Sequence, residues 1–211
     1  MRKFMFALAA GVLVQAAVLA DSTYTLSVEE KPVPDVIDAE VRDQIEPKSY
    51  TLSDSEGPFF EFWFAKTLEL KKSPASSDEA LKSIPEVSLF GALVVHKADH
   101  LDFREDAIDP GAYVMRLGLQ PQDGNHMGTS PTDTFAVLIP ADRDAEVREY
   151  PTHDDMVDIS LEHTAAAHPP ILSLQPIEET EGEFPRLGVT GDDWQVLIVR
   201  LPAKTGEKTV D

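Results

Sequence analysis

The sequence contains no cysteine among its 211 residues. A chain without cysteine forms no disulfide bond, offers no thiolate nucleophile and holds no zinc through thiolate ligands. It also excludes a bacterial lipid anchor, which is attached to a cysteine. Any fold of this chain is therefore held together without disulfide cross-links.

Basic residues are scarce as well. Lysine and arginine total 18 against 38 aspartate and glutamate residues, so the formal net charge is −20. Nucleic-acid binding requires lysine and arginine against phosphates, and anionic membrane surfaces attract basic segments. The charge therefore argues against both classes of partner. The charge suits a soluble protein, a basic partner or cation-rich surroundings.

Signatures of catalysis are also missing. The sequence has no HExxH zinc motif, no GxSxG nucleophile elbow and no glycine-rich phosphate loop. Ser130 lies four residues from His126, but catalytic triads join groups from separate structural elements, whereas these two share one loop. We therefore expect a protein without catalytic activity. A hydrolase that uses the carboxylates and histidines of this loop is an alternative.

The N-terminal residues read as a secretion signal. Arg2 and Lys3 precede the apolar run Phe4–Leu19, and small or aliphatic residues predict cleavage after Ala20. The run of about 16 residues is short for a bilayer-spanning helix, so a retained membrane anchor is the second interpretation. No later segment is apolar over a comparable length. We expect an exported protein, periplasmic or secreted.

Short apolar segments separated by turn residues predict an all-β fold. Turn residues 54–58 predict a hairpin between 49–53 and 59–70. Further strands are predicted at residues 87–96, 112–119, 135–139, 171–174, 188–190 and 194–201. This pattern favours a β-sandwich decorated with one or two short helices.

Two segments carry helical signals. Val36, Ile37, Val41 and Ile45 recur at helical spacing, and residues 152–155 resemble a capping box with Asp155 in place of glutamate. We divide the chain into a signal peptide (1–20), an otherwise irregular N-terminal extension with a short helix (21–48), a single β-sandwich domain (49–202) and a flexible tail (203–211).

Residues 118–133 form a long predicted loop between two strands. Loops of this length without their own secondary structure are usually functional, internally packed or disordered, and its glycines, prolines and short polar residues favour an ordered one. We expect His126 to point inward as an anchor, and its outward orientation toward a ligand is the alternative. The residues of this loop that could bind a ligand are Asp123, Asn125, His126, Ser130 and Asp133.

A metal site is the main functional alternative. Copper and zinc are bound by histidine, and copper also by methionine, so His126, Met127 and His168 are the residues that would form such a site. Calcium requires several oxygen ligands, and the acidic segment 102–109 has a suitable length without the full EF-hand pattern. Neither spacing is diagnostic. We expect no cofactor, with copper or zinc as the alternative.

Aromatic residues offer another kind of site. Trp63 and Tyr113 lie in predicted strands and would stack against sugar rings if their faces were open. Aromatic residues in strands are usually buried, and we expect burial here.

Several segments resemble an uncharacterised family of exported bacterial proteins found in planctomycete-type genomes. The resemblance lies in DAEVRDQI, SYTLSDSEG followed by EFWF, DPGAYVMRLGLQPQDGNHMGTSP, FAVLIP and HPPILSLQP, which cover much of residues 35–176. The resemblance implies export and a β-rich fold. It does not indicate any particular activity. The expected function is that of an exported, non-enzymatic binding or structural module of the cell envelope, with a protein or glycan partner.

Overall fold

The structure is a computed structural model. It describes the backbone of residues 6–14 and, in full, residues 24–98, 101–102, 105–121, 132–149, 151–162, 168–177, 182–189 and 195–205. The strands are β1 (Phe6–Val14), β2 (Thr25–Glu30), β3 (Lys48–Asp54), β4 (Gly57–Phe64), β5 (Leu68–Leu70), β6 (Leu89–Val95), β7 (Gly111–Leu119), β8 (Thr134–Pro140), β9 (Ile171–Pro176), β10 (Arg186–Val189) and β11 (Gln195–Thr205). The helices are α1 (Ala39–Arg42), α2 (Ser77–Ser83), α3 (Asp144–Glu149) and α4 (His153–Leu161).

The strands form two layers. One consists of seven antiparallel strands in the order β9-β8-β7-β6-β4-β3-β2, and the other contains β10, β11 and β5. Strand β1 lies between β9 and β11 and pairs with both, so it joins the layers along one side. On the other side β2 contacts β10. The prediction of an all-β, sandwich-like fold is confirmed.

The main core fills the space enclosed by the strands. Strand β4 supplies Phe60, Phe62 and Phe64, each at most 2% exposed, because alternate residues of a strand point to the same face. The rings of Phe62 and Phe64 are parallel, with centroids 6.0 Å apart. Leu81 and Ile84, at the end of helix α2, belong to the same core. We call this side of the strands the inner face.

The outer face of the larger sheet is covered in two places. The N-terminal segment packs Ile37, Val41 and Ile45 against Trp63 of β4. Helix α4 packs Met156 and Ile159 against the outward side chains of β8. Both covers bury apolar residues that alternation places on the side away from the main core.

The N-terminal extension contributes a strand that its acidic composition conceals. The sequence Tyr-Thr-Leu-Ser occurs at residues 24–27 and again at 50–53. The two copies lie side by side in β2 and β3, where Leu26 pairs with Leu52. Residues 21–48 therefore contain a strand as well as the predicted helix, because backbone pairing with β3 compensates for a weak local signal.

The structure departs from the prediction most clearly in two strands and in the number of helices. Segment 59–70 is not one strand: it breaks after Phe64, and Leu68–Leu70 pairs in parallel with the end of β11. Strand β11 runs to Thr205, three residues into the predicted tail. The described residues also contain four short helices rather than one or two, since residues 77–83 and 144–149 are helical. Their first-turn carboxylates suit helix N-termini.

The predicted capping box is confirmed. The hydroxyl oxygen of Thr152 accepts a hydrogen bond from the Asp155 backbone amide at 3.2 Å and starts helix α4.

In the described part of the chain, no helix combines the length and apolar character that crossing a bilayer requires.

A buried ion pair connects β7 to helix α3. The Arg116 guanidinium donates two hydrogen bonds to the Asp144 carboxylate, at 2.6 and 2.8 Å, and a third to the carbonyl oxygen of Val87 at 2.9 Å. The Asp144 side chain is fully buried. Arg148 then joins Asp144 to Asp38 and Glu40 near helix α1.

We expect Asp144→Asn to lower the free energy of unfolding by about 3 kcal/mol, because it leaves the buried Arg116 charge without a counter-charge. Denaturant unfolding monitored by circular dichroism measures the change. The matched control is Asp35→Asn, which removes a fully exposed carboxylate paired with Arg42 and should leave the midpoint unchanged. Equal effects of the two substitutions would contradict the structural role of the buried pair.

Candidate functional site

The candidate site lies on the outer face, where β4, β6 and β7 run next to the N-terminal segment. Strand register aligns one outward row across the sheet: Glu61 of β4 pairs with Val94 of β6, which pairs with Ala112 of β7. The Ala141 backbone amide donates a hydrogen bond to the Ala112 carbonyl oxygen. Because neighbouring strands are ~4.8 Å apart, Glu61 and Ala112 are separated by roughly 10 Å.

A buried carboxylate forms one end of this row. The Glu61 side chain is 5% exposed, and Lys31 Nζ donates a hydrogen bond to its Oε1 at 2.6 Å. His96 Nε2 lies 3.3 Å from Oε2. Lys31 Nζ also lies 5.7 Å from the centre of the Trp63 ring, and the indole N–H donates to the Lys31 carbonyl oxygen at 3.0 Å.

The side chains around Glu61 reduce the free-energy cost of burying its negative charge. A carboxylate removed from water requires counter-charge and hydrogen-bond donors, which Lys31 and His96 supply. Both partners keep solvent contact, with side-chain exposures of 47% for Lys31 and 35% for His96. An incoming ligand therefore meets their polar groups and not Glu61 itself.

Sequence reasoning missed Glu61, although a local signal exists. It is the only charged residue in the aromatic segment Phe59–Phe64. A single charge in a strand that is buried on both faces must have a partner, and lysine or histidine residues elsewhere in the chain are the ones to search. The sequence does not indicate which residues are the partners, since Lys31 and His96 are 30 and 35 residues away.

An open cleft forms the other end of the row. It has a volume of about 390 Å³ and is lined by Val36, residues 109–113 and residues 140–142. Ala112 and Ala141 contribute small apolar side chains, and the Val36 side chain is exposed although its neighbour Ile37 is buried. Asp109 and Asp142 are exposed, and none of the residues that line the cleft is basic.

Tyr113 fixes the backbone on one side of the cleft. Its hydroxyl donates a hydrogen bond to the Asp109 carbonyl oxygen at 2.8 Å and holds the turn that carries the Asp109 carboxylate. Burial, together with the negative charge of Asp109, raises the pKa of Tyr113 to about 12. The phenol is therefore neutral at physiological pH and remains a hydrogen-bond donor.

Most of the predicted ligand-binding loop lies outside the described residues, including Asp123, Asn125, His126, Met127 and Ser130. Asp133 is described, and its carboxylate faces Lys82 of helix α2 at 3.4 Å. The C-terminal end of the loop is anchored, because the hydroxyl groups of Thr132 and Thr134 both donate to the carbonyl oxygen of Leu174. The orientation of His126 stays a prediction.

The described histidines do not converge. His168 is exposed, His96 contacts Glu61, and His153 lies 2.7 Å from the Glu86 carboxylate at the start of helix α4. Within the described residues there is no group of three or more histidine, aspartate or glutamate side chains that could hold a metal ion. The predicted set of His126, Met127 and His168 is described only at His168.

In the acidic segment 102–109, one carboxylate accepts a hydrogen bond from the backbone of the same turn. The Asp102 side chain is buried and accepts a hydrogen bond from the Asp106 amide at 3.1 Å. Glu105 adopts a positive φ of 66°, which closes the turn. This arrangement favours a structural role for Asp102 over calcium coordination.

The two aromatic residues considered as sugar platforms are both buried. Trp63 is 0% exposed and Tyr113 is 8% exposed. Their ring faces contact protein, as expected for aromatic residues in strands. A glycan would therefore have to bind through other groups.

Comparison with known proteins identifies no relative of this chain. No protein-family model, curated protein or solved structure matches the chain. The function must therefore be inferred from the residues of the outer face themselves.

We expect Glu61→Gln to lower the free energy of unfolding by about 1 kcal/mol, because the neutral amide cannot form the charged contact with Lys31. The control is Glu69→Gln. Glu69 contacts Lys204 at 2.9 Å, but both side chains are more than half exposed, so the change should be smaller. Urea unfolding of both variants measures the two differences. A larger effect at Glu69 would rule out the proposed importance of burial at Glu61.

The raised pKa of Tyr113 predicts a loss of folding stability at alkaline pH. The unfolded tyrosine has a pKa near 10, whereas the folded one has a pKa of about 12. Between these values the unfolded chain releases a proton that the folded chain retains, so stability falls as the pH rises. We expect the wild type to lose about 2 kcal/mol more than Tyr113→Phe between pH 10 and 12. The difference in free energy of unfolding between the two proteins should stay constant from pH 7 to 9. Parallel curves of stability against pH over the whole range would refute the raised pKa of Tyr113.

Proposed function

We propose that this protein is an exported binding module of the cell envelope, and that the outer-face cleft binds basic side chains of a partner protein. The observation that carries the proposal is the cleft itself, whose lining combines the apolar residues Val36, Ala112 and Ala141 with the exposed residues Asp109 and Asp142. An open cleft with an apolar floor and a few polar groups is a common form of binding site.

The cleft suits a positive charge carried on an apolar stem. Lysine and arginine side chains have this form, since their methylene groups pack on apolar surface while the charged end stays in polar surroundings. Val36, Ala112 and Ala141 would contact the stem. The carboxylates of Asp109 and Asp142 would then accept hydrogen bonds from the ammonium or guanidinium group.

Charge at a distance supports the same class of partner. The chain carries a formal net charge of −20, which attracts basic proteins and repels acidic ones before contact. Lys31, at the other end of the row, adds hydrogen-bond donors that can meet an acidic or carbonyl group on the partner. The surface thus offers acceptors at the cleft and donors beside Glu61 at the other end of the row, which would orient a bound segment.

Exposed carboxylates give modest binding energy. Solvent screens such contacts, so each contributes a few tenths of a kcal/mol up to about 1 kcal/mol. The expected interaction is therefore transient and sensitive to salt. Export, supported by the N-terminal sequence, would place the module where envelope proteins are its available partners.

We expect Asp109→Asn with Asp142→Asn to weaken binding of a fluorescent pentalysine peptide by about 5–10-fold, because two charge-assisted contacts are lost. Fluorescence anisotropy at low ionic strength measures the affinity. An acetyl-lysine version of the peptide keeps the apolar stems without the charges, and it should bind weakly to the wild type.

The matched control removes the same net charge at exposed positions away from the cleft, through Asp158→Asn with Glu183→Gln. Its effect on the affinity should be less than about 2-fold, since only long-range attraction changes. If both double variants weaken binding equally, the peptide recognises overall charge, and the cleft is not the site.

A further inference from the structure

The strands β9 and β11 face each other across a gap that is one strand wide. Apart from β1, the only described strand that pairs with β9 is β8. Strand β11 pairs with β10 at residues 195–198 and with β5 at residues 203–205. Ala203 pairs with both Leu68 of β5 and Phe6 of β1, so β5 and β1 lie on opposite edges of β11. Both strands therefore have an edge that no other strand covers over most of its length.

Strand β1 occupies this gap. It pairs antiparallel with β11 along its whole length, from Phe6 opposite Ala203 to Val14 opposite Gln195. Its residues 10–13 also pair with residues 173–176 of β9. A strand with neighbours on both sides satisfies backbone groups in both directions, so this position accepts an extended segment as a central strand.

The sequence of β1 belongs to the segment that reads as a secretion signal. FALAAGVLV has no charged or polar side chain, and cleavage after Ala20 would remove it. Its removal separates the two layers along this side. It also leaves unpaired backbone donors and acceptors on β9 and β11, next to buried core residues such as Leu174 and Val199. Exposed edges of this kind are templates for strand addition.

We propose that the processed protein binds an extended, uncharged apolar segment of a partner polypeptide as an added strand between β9 and β11. The inference rests on the export included in the proposed function, and it uses residues distinct from those of the acidic cleft. Main-chain hydrogen bonds provide the affinity, and the sequence FALAAGVLV at this position shows that an uncharged apolar segment is compatible with it. In the precursor the signal segment fills the site and blocks it.

The test uses the protein after export. The full chain is expressed with export in a bacterial host, and mass spectrometry determines the first residue of the purified product. A second preparation, made without export, retains residues 1–20. The probe is a synthetic peptide of FALAAGVLV with glutamates at both ends, so that charge repels it from the acidic chain and any binding comes from the strand itself.

We expect the peptide to bind the processed protein and not the unprocessed one. A peptide with proline at the positions of Ala9 and Val12 lacks two backbone donors, and its affinity should fall at least ~10-fold. Equal binding of the proline peptide, binding to both protein forms, or absence of binding would overturn the proposal. So would a processed protein that still contains residues 6–14.

Register provides a second readout, because the chain has no cysteine of its own. Gln175→Cys should form a disulfide with a peptide carrying cysteine at the position of Gly11, and Gln195→Cys with one carrying it at Val14. The exchanged combinations should not cross-link, and cross-linking in all four would show binding without a defined register. The pentalysine affinity of the same preparations reports separately on the acidic cleft.

Discussion

The structure depends on the requirement that strand β4 be covered on both faces. Its inward phenylalanines fill the space between the two layers, while Trp63 points to the other side and is fully buried there. A single sheet cannot bury both sets, so the N-terminal segment has to fold back over the outer face. Backbone hydrogen bonds fasten it in place, since the Glu46 amide donates to the Phe64 carbonyl oxygen.

This cover creates the proposed binding surface. Burial of β4 places the Glu61 carboxylate beneath the returning segment, and that segment supplies Lys31 to neutralise it. The same segment leaves Val36 exposed beside the ends of β7 and β8, where Asp109 and Asp142 bring negative charge. A single packing requirement thus accounts for a buried ion pair and for an apolar cleft with acidic groups.

Local patterns predicted much of the fold and little of the site. Short apolar segments bounded by turn residues located β7 and β8, and the Thr152–Asp155 pattern located the start of helix α4, because both signals depend on neighbouring residues. Strand β2 escaped prediction since its acidic residues are exposed and its pairing with β3 is long-range. The meeting of Glu61, Lys31 and His96 depends on strand register, which the sequence does not specify locally.

The central claim is that the outer-face cleft binds basic groups, and amide NMR of the protein tests it directly. During titration with pentalysine, the largest chemical-shift changes should occur at Val36, residues 109–113 and residues 141–142, where the ligand alters the surroundings of the backbone. Changes spread evenly over the acidic surface, or concentrated away from these residues, would contradict the account.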